Sequence, residues 1–585
     1  MKSRPWSSLS LLATVIGHSL SIRPICTIRA LFVLVSGKRV RAWNQLCVIA
    51  QARPNFHDFW TRHFAPGFAA DWCSDAPPAL VACLVFGGDL PPLALARTIS
   101  SLRAGFGADV PIWTCGENAP GCSRLDEEVK GGGLQDGLRV IADVTGLPWL
   151  FACRSGDTVA PELGRALSTA LAEAPDSRLI FWDEDVEIGN RRNAAWIKPG
   201  WDPLLHLSRD GLGGACALHM PTAMAAINHN TQLPAVPAGF SALALATAAA
   251  SQTPPFRIPL LLCHRRNADG FTDAPAWRGI VMSVWPEGFE FALPGDNCCH
   301  LVVQPLAPTH WPAVSIIIPT RDRPELISAC LKSLTRIEYP GEVEIIVVDN
   351  GSCDPVALAC LATAEADGLI RIVRDDCPFN FSRLNNRAAA IAHGSLLCLL
   401  NNDVEALDGG WLGTMVRHAV QPHVGAVGAM LTYPDGSIQH AGVAIGMGNA
   451  AGHVQRGVAP TDPGHRAWYA VTRRVSAVTA ACLVVRRDTY VAVGGLDEAG
   501  FAIAFNDVDF CLRLEAAGFH NVYCAQARLL HRESRTRGSD YVPAQFARFS
   551  AELALLQKRW RTRTFADPHF SPLFSASSER CVLKL

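Results

Sequence analysis

From about residue 79 onward, short apolar runs rich in β-branched residues alternate with stretches whose apolar positions recur every 3.6 residues or so. The runs predict buried strands and the periodic stretches predict amphipathic helices. Their alternation predicts α/β layers around a mostly parallel sheet. The pattern begins twice in the same way. An apolar run at 81–86 leads through Pro91 and Pro92 to a helix face of Leu95, Ile99 and Leu102. A second run at 314–318 leads through Pro319 and Pro324 to a face of Leu326, Ile327, Cys330, Leu331 and Leu334. An internal repeat follows, with one unit at 76–270 and another at 312–565. Between them, 271–311 carries Pro275, Pro286, Pro294, Pro305, Pro308 and weak periodicity, which predicts a linker or covering segment. The tail, 566–585, shows no clear pattern.

A chain of 585 residues is too long for one core, which agrees with two or more units. A net charge of −1 argues against a general nucleic-acid binder. The charge is uneven, because residues 1–57 hold Lys2, Arg4, Arg23, Arg29, Lys38, Arg39, Arg41 and Arg53 with no Asp or Glu. The N-terminal segment, 1–75, also has apolar stretches at 7–22 and 25–36. His18, Pro24 and Arg29 interrupt them, and neither reaches the roughly 20 residues that span a bilayer. No small-residue cleavage site follows, so a signal peptide is not expected. Two readings fit: an interfacial helix on an anionic cytosolic leaflet, or a helix packed on the next unit with its cations in water. Twenty scattered cysteines without a Cys-x-x-Cys spacing read as small apolar residues in a reducing compartment. The expected location is therefore cytoplasmic, with peripheral contact to the inner membrane face.

The chemistry gathers in the second unit. Ser315-Ile-Ile-Ile-Pro-Thr-Arg-Asp-Arg-Pro is a buried strand ending in a polar loop. Val343-Glu-Ile-Ile-Val-Val-Asp-Asn-Gly-Ser puts Asp349 at a strand's carboxyl end, where open parallel sheets collect ligands; a polar turn at Asn350-Gly351 accounts for the same residues. Leu396-Leu-Cys-Leu-Leu-Asn-Asn-Asp delivers Asn401, Asn402 and Asp403, oxygen donors suited to a hard divalent cation. Asn506-Asp-Val-Asp-Phe-Cys-Leu-Arg opens a helix with Asp507 and Asp509, one more carboxylate than capping asks for. Leu530-His-Arg-Glu-Ser then offers His531 and Arg532 to a metal or a phosphate.

In this order, together with the segment around Thr479 and with Val493-Gly-Gly-Leu-Asp-Glu, these strings resemble the family 2 glycosyltransferases of the GT-A fold. The closest branch is the bacterial O-antigen and polysaccharide one, which includes rhamnosyltransferases. The resemblance implies inverting transfer from a nucleotide-diphosphate sugar, dTDP-rhamnose or a UDP-sugar, to a glycan or lipid-linked glycan. It implies a divalent cation, Mg2+ or Mn2+, and no nucleic acid. Asp349 matches the nucleotide-binding Asp, and Thr320 and Asp322 match the loop that touches the nucleotide. Asp403 matches the last Asp of the metal motif, with Asn401 in place of its first. Asp507 matches the catalytic base, with Asn506 where a Glu usually precedes it. His531 matches a metal- or diphosphate-binding His, and Arg532 stands where a second His is common. Thr479-Ala480-Ala481 matches the acceptor-site lining. Gln439-His440-Ala-Gly-Val also belongs to the branch, and we expect it to be structural.

The first unit resembles the same family with its chemistry lost. Trp113-Thr-Cys-Gly replaces the nucleotide Asp, and Cys153-Arg-Ser-Gly-Asp keeps only Asp157 of the metal motif beside a repelling Arg154. Ala238-Gly-Phe-Ser-Ala has no base. The expected fold is two tandem GT-A-like domains, the first degenerate, after a basic helical segment. A second active site at Asp183 and Asp185 is the rival. A glycan-binding scaffold and a sugar nucleotidyltransferase are the alternative functions. Pro319-Thr-Arg-Asp-Arg-Pro lacks the glycines a triphosphate loop needs, which counts against the latter.

Overall fold

The computed structural model describes residues 9–584 except 36–38, 52–55, 88–90, 117–118, 126–133, 190, 227–237, 267–272, 286, 296–297, 460, 463 and 533–542. Lys2, Arg4, Lys38, Arg53, Pro286, Glu533 and Ser534 lie outside the described residues, as do the side chains of Arg39 and Arg41. Five helices, Leu9–Ile22, Pro24–Val35, Arg39–Gln51, Phe56–His63 and Ala65–Trp72, precede the first strand. Among the described residues no helix is long and apolar enough to cross a membrane.

Two large sheets follow. The main path of the first uses β1 (Ala82–Phe86), β2 (Ile112–Cys115), β3 (Ser123–Arg124), β4 (Trp149–Arg154), β5 (Thr158–Val159), β6 (Leu179–Ile188), β7 (Cys216–His219) and β8 (Phe256–Arg265). That of the second uses β9 (Val314–Thr320), β10 (Val343–Asp349), β11 (Arg371–Arg374), β12 (Leu396–Leu400), β13 (Val404–Ala406), β14 (Val424–Thr432), β15 (Cys482–Arg486) and β16 (His520–His531). The spatial order is β3-β2-β1-β4-β7-β6-β8-β5 in one and β11-β10-β9-β12-β15-β14-β16-β13 in the other. These are the same order. Pair senses agree too: β4–β7 and β12–β15 are antiparallel, while β6–β8 and β14–β16 are parallel. The helices after β1 and β9, Pro92–Phe106 and Pro324–Leu334, bury the apolar faces that the spacing predicts.

The sheets are more mixed than a mostly parallel reading allows. The antiparallel β15 sits between β12 and β14, with Cys482 opposite Leu400. Its leading loop therefore lies at the end of the sheet where β9 and β12 finish. Gly428 on β14 lets that loop close down, since a Cβ there would meet Val478 at 2.4 Å.

Two segments are more ordered than the sequence suggests. Residues 271–311 hold a helix, Ala274–Val284, and a hairpin of Phe289–Ala292 with Val302–Pro305. Trp277, Ile280, Leu301 and Val303 enter the core under β9 and β12, so the segment covers rather than links. The tail lacks regular structure yet buries Phe570, Leu573, Phe574, Cys581 and Leu583 against Leu46, Trp60, Ile197 and Trp468. Pro568 O accepts from Gly200 N at 2.8 Å, and Lys584 O accepts from Trp60 Nε1 at 2.7 Å.

Across the molecule, buried and half-buried imidazoles are held neutral. Burial lowers His206, His300 and His520 to about 4, and His418, His465 and His569 to about 3. The unfolded chain binds more protons at these groups, so their contribution is full above about pH 6.5 and is lost as pH falls below it. Burial raises Asp567 to about 6 and Glu515 to about 8, and these two act in the opposite sense. The histidines outnumber them. The melting temperature is expected to fall as pH drops from 6.5 to 5; a flat profile over that range would refute the assignment.

Candidate functional site

Strand ends build the site. β9 stops at Thr320, β12 at Leu400, and β15 starts opposite at Cys482. β16 runs parallel to β14 and brings His531 into register with Val404 of β13. The helix Asn506–Ala516 opens beside them. Together these segments enclose a cavity of about 1040 Å³ lined by Thr320, Asp322, Asn401, Asp403, Thr479, Asn506, Asp507 and His531. Asp349 and Arg532 are not part of the lining.

Asp403 and His531 are both buried, with His531 Nε2 3.1 Å from Asp403 Oδ1. Asp403 Oδ1 and His531 Nδ1 make no hydrogen bond among the described residues. A hard divalent ion is commonly held by one or two protein groups, phosphate oxygens and water. This oxygen–nitrogen pair, with buried capacity to spare, fits such an ion. No cluster of three or more His, Cys, Asp or Glu for a metal occurs among the described residues, so a closed all-protein cage is not offered. Asn401 is held by its backbone, donating to Ala481 O at 3.0 Å, and its side chain lines the cavity. Asn402 Nδ2 donates to Thr320 Oγ1 at 2.9 Å and ties the two loops together.

Asp322 and Arg323 both take left-handed backbone, φ 53°. Asp322 Oδ1 accepts from Cys353 N at 2.7 Å and Asp354 N at 2.8 Å, and these two amides hold its carboxyl below the usual range. Its carboxylate thus fastens the loop after β9 to the loop after β10. Asp349 is buried in register with Thr320 on one side and Arg374 on the other. Its oxygens accept from Ser352 N at 2.9 Å and from Arg374 Nη1 at 2.5 Å. Arg374 is a partner the sequence reading missed, although its place at the end of the neighbouring strand was a usable signal.

Phe505, at φ 61°, turns the chain into the helix that carries Asp507. A bulky residue in that region is strained, a feature common at functional sites. Asp507 Oδ2 accepts from Ala480 N at 3.2 Å, and Oδ1 from Val508 N at 2.9 Å. Burial pushes its carboxyl up, while these amides and the Thr479 hydroxyl pull the other way. Asn506 Nδ2 donates to Ile503 O at 2.8 Å and shapes the turn. Asp509 faces away, bonded to Arg513 and Arg559 at 2.8 Å and to Trp560 Nε1 at 2.9 Å, and its role is structural. Arg532 leans on Glu405 at 2.5 Å rather than into the cavity, while its amide donates to Asp403 O. His440 is buried, its Nδ1 2.8 Å from that of His453. Gln439, His453, Arg456, Phe379 and Phe549 also line the cavity and were not anticipated as site residues.

The matching end of the first sheet is closed by charge pairing. Arg265 donates to Glu184 Oε2 from Nε at 2.9 Å and from Nη2 at 2.8 Å, and its Nη1 lies 3.6 Å from Asp157. Asp183 binds Arg257 at 2.6 Å. Asp185 binds His264 at 2.8 Å and His57 at 2.9 Å. Both carboxylates proposed for a second active site are therefore committed to internal cations and imidazoles. Where a base would open the helix, Ser241 Oγ donates to Asp210 at 2.7 Å.

The sequence matches the model of glycosyl transferase family 2 over residues 315–472. It is 44% identical over 277 residues to an uncharacterised protein of Sinorhizobium fredii, covering 46% of this chain and 30% of that one. It is 32% identical over 461 residues to the O-antigen biosynthesis protein RfbC of Myxococcus xanthus, covering 73% of this chain and 34% of that one. The chain thus spans about a third of the length of both. It is also 32% identical over 221 residues to an N-acetylglucosaminyl-diphospho-decaprenol L-rhamnosyltransferase of Mycobacterium tuberculosis, covering 34% of this chain and 69% of that one.

Proposed function

The chain belongs to glycosyl transferase family 2, in its rhamnosyltransferase-like branch, and on that premise we propose that the second sheet carries an inverting transferase for surface polysaccharide synthesis. The supporting observation is the convergence of Asp403, His531 and Asp507 on one cavity from three separate segments. The donor is a nucleotide-diphosphate sugar, dTDP- or UDP-linked, with rhamnose favoured by the mycobacterial relative's name. The acceptor is a glycan or lipid-linked glycan met at the inner membrane face. Asp403 and His531 hold a divalent cation, which when bound supplies positive charge against the leaving diphosphate. Asp349 and the loop around Thr320 and Asp322 seat the nucleoside. Asp507 takes the acceptor hydroxyl's proton as that oxygen attacks the anomeric carbon from the face opposite the diphosphate, so one displacement inverts the centre. Its raised affinity for protons suits a base. Thr479 and Ala480 hold the carboxylate in place. The first sheet, closed by Arg265, is a non-catalytic companion.

Thermal shift tests the site directly. UDP, dTDP and GDP are added with and without Mn2+, and Asp403→Ala is the control. One nucleotide is expected to raise the melting temperature in a metal-dependent way that the variant loses; at about 100 times its dissociation constant, a ligand stabilises by roughly 2.7 kcal/mol. Silence from all three nucleotides would leave a scaffold as the better reading.

A further inference from the structure

We propose that the exposed face of the helix Pro24–Val35 seats the protein on an anionic lipid surface. Thr27 and Ala30 bury one side of this helix. On the other side Ile25, Ile28, Phe32 and Val35 are 68%, 60%, 73% and 87% exposed. Spacings of three, four and three residues place these side chains within an arc of about 80°. Large apolar groups gathered on one exposed face mark a contact surface rather than ordinary scatter. Exposed Arg23 and Arg29 lie next to them, in a stretch of 57 residues with eight Lys or Arg and no acidic residue.

The charge selects the occupant. A second copy of this chain would set one cationic segment against another. An acidic bilayer offers anionic headgroups to the arginines and an acyl layer to the apolar stripe. The helix has 12 residues, about 18 Å of rise, so it lies in the interface instead of crossing the hydrocarbon. Such a seat brings a lipid-linked acceptor to the protein and rests on the transferase reading for its purpose only, because lipid binding needs neither donor nor metal.

Flotation of the full chain with phosphatidylcholine vesicles, with and without phosphatidylglycerol, tests this. The chain is expected to float with the anionic vesicles, less so at high salt, and not with the neutral ones. The double variant Ile28→Glu/Phe32→Glu is expected to lose about tenfold or more of the bound fraction, and Arg23→Glu/Arg29→Glu to weaken binding on anionic vesicles. Unchanged cooperative melting shows that the variants fold. A wild-type chain that stays with the soluble fraction, or a double variant that floats equally well, overturns the proposal. So does light scattering that finds a wild-type dimer turned into a monomer by Ile28→Glu/Phe32→Glu, which would give the face to a second copy. A failed nucleotide shift with normal flotation would strike the transferase reading alone.

Discussion

Replacing Asp507 with Asn is expected to lower the transfer rate about 10²- to 10⁴-fold, the range a positioned general base contributes. Asn keeps the shape and an oxygen that can accept from Ala480 N, so the loop stays in place. It cannot take a proton. The metal-dependent nucleotide shift should survive in this variant, because Asp403, in the turn before β13, and His531, at the end of β16, belong to other segments than the helix of Asp507. Release of nucleoside diphosphate under saturating donor is the measurement. The acid limb of the wild-type pH–rate profile should lie above the ordinary range for Asp, since burial raises this carboxyl and only its ionised form can act. Activity within tenfold of wild type in Asp507→Asn would remove the residue from the mechanism.

Arg265→Ala is expected to cost about 3–5 kcal/mol of stability, the usual penalty for stripping one partner from a buried ion pair. Glu184 and Asp157 would be left buried without their main counter-charge; Lys198 Nζ at 3.7 Å from Glu184 and the Arg266 amide at 2.9 Å from Asp157 compensate in part. Urea unfolding followed by fluorescence and circular dichroism reads the change. The triple variant Arg265→Met/Glu184→Gln/Asp157→Asn should recover much of the loss, because removing all the charges together avoids the orphaned carboxylates. If the single variant were as stable as wild type, this network would carry little energy and the closure of the first sheet would need another explanation.

What the sequence made legible follows from local physics. β9 and β12 are buried on both faces and so read as near-continuous apolar runs, broken only by Ser315, each ending in a polar loop. That put Thr320, Asn401 and Asp403 at strand ends before any pairing was known. The helix from Asn506 is legible from its acidic opening at Asp507 and Asp509 followed by an apolar stretch. The tail did not, because Phe570, Leu573 and Leu583 sit on irregular backbone with no period to detect. The link of Arg265 to Glu184 joins residues far apart in the chain and has no local signature. The same holds for Asp509, whose partners Arg559 and Trp560 come from a later helix. The antiparallel β15 was hidden for a related reason: an apolar run reveals a strand but not its direction.

The buried tail also imposes a timetable on synthesis. Gln51 bonds to Leu583, and Trp60 to Lys584, across 532 and 524 residues of chain. At about 5–20 residues per second, the early helices wait roughly half a minute to two minutes for these partners to be made. During that interval Trp60 and Leu46 lack part of the apolar cluster that finally encloses them. The two sheets have closer partners and can pair as they emerge, whereas the helical segment reaches its finished packing after them, although it is translated before them.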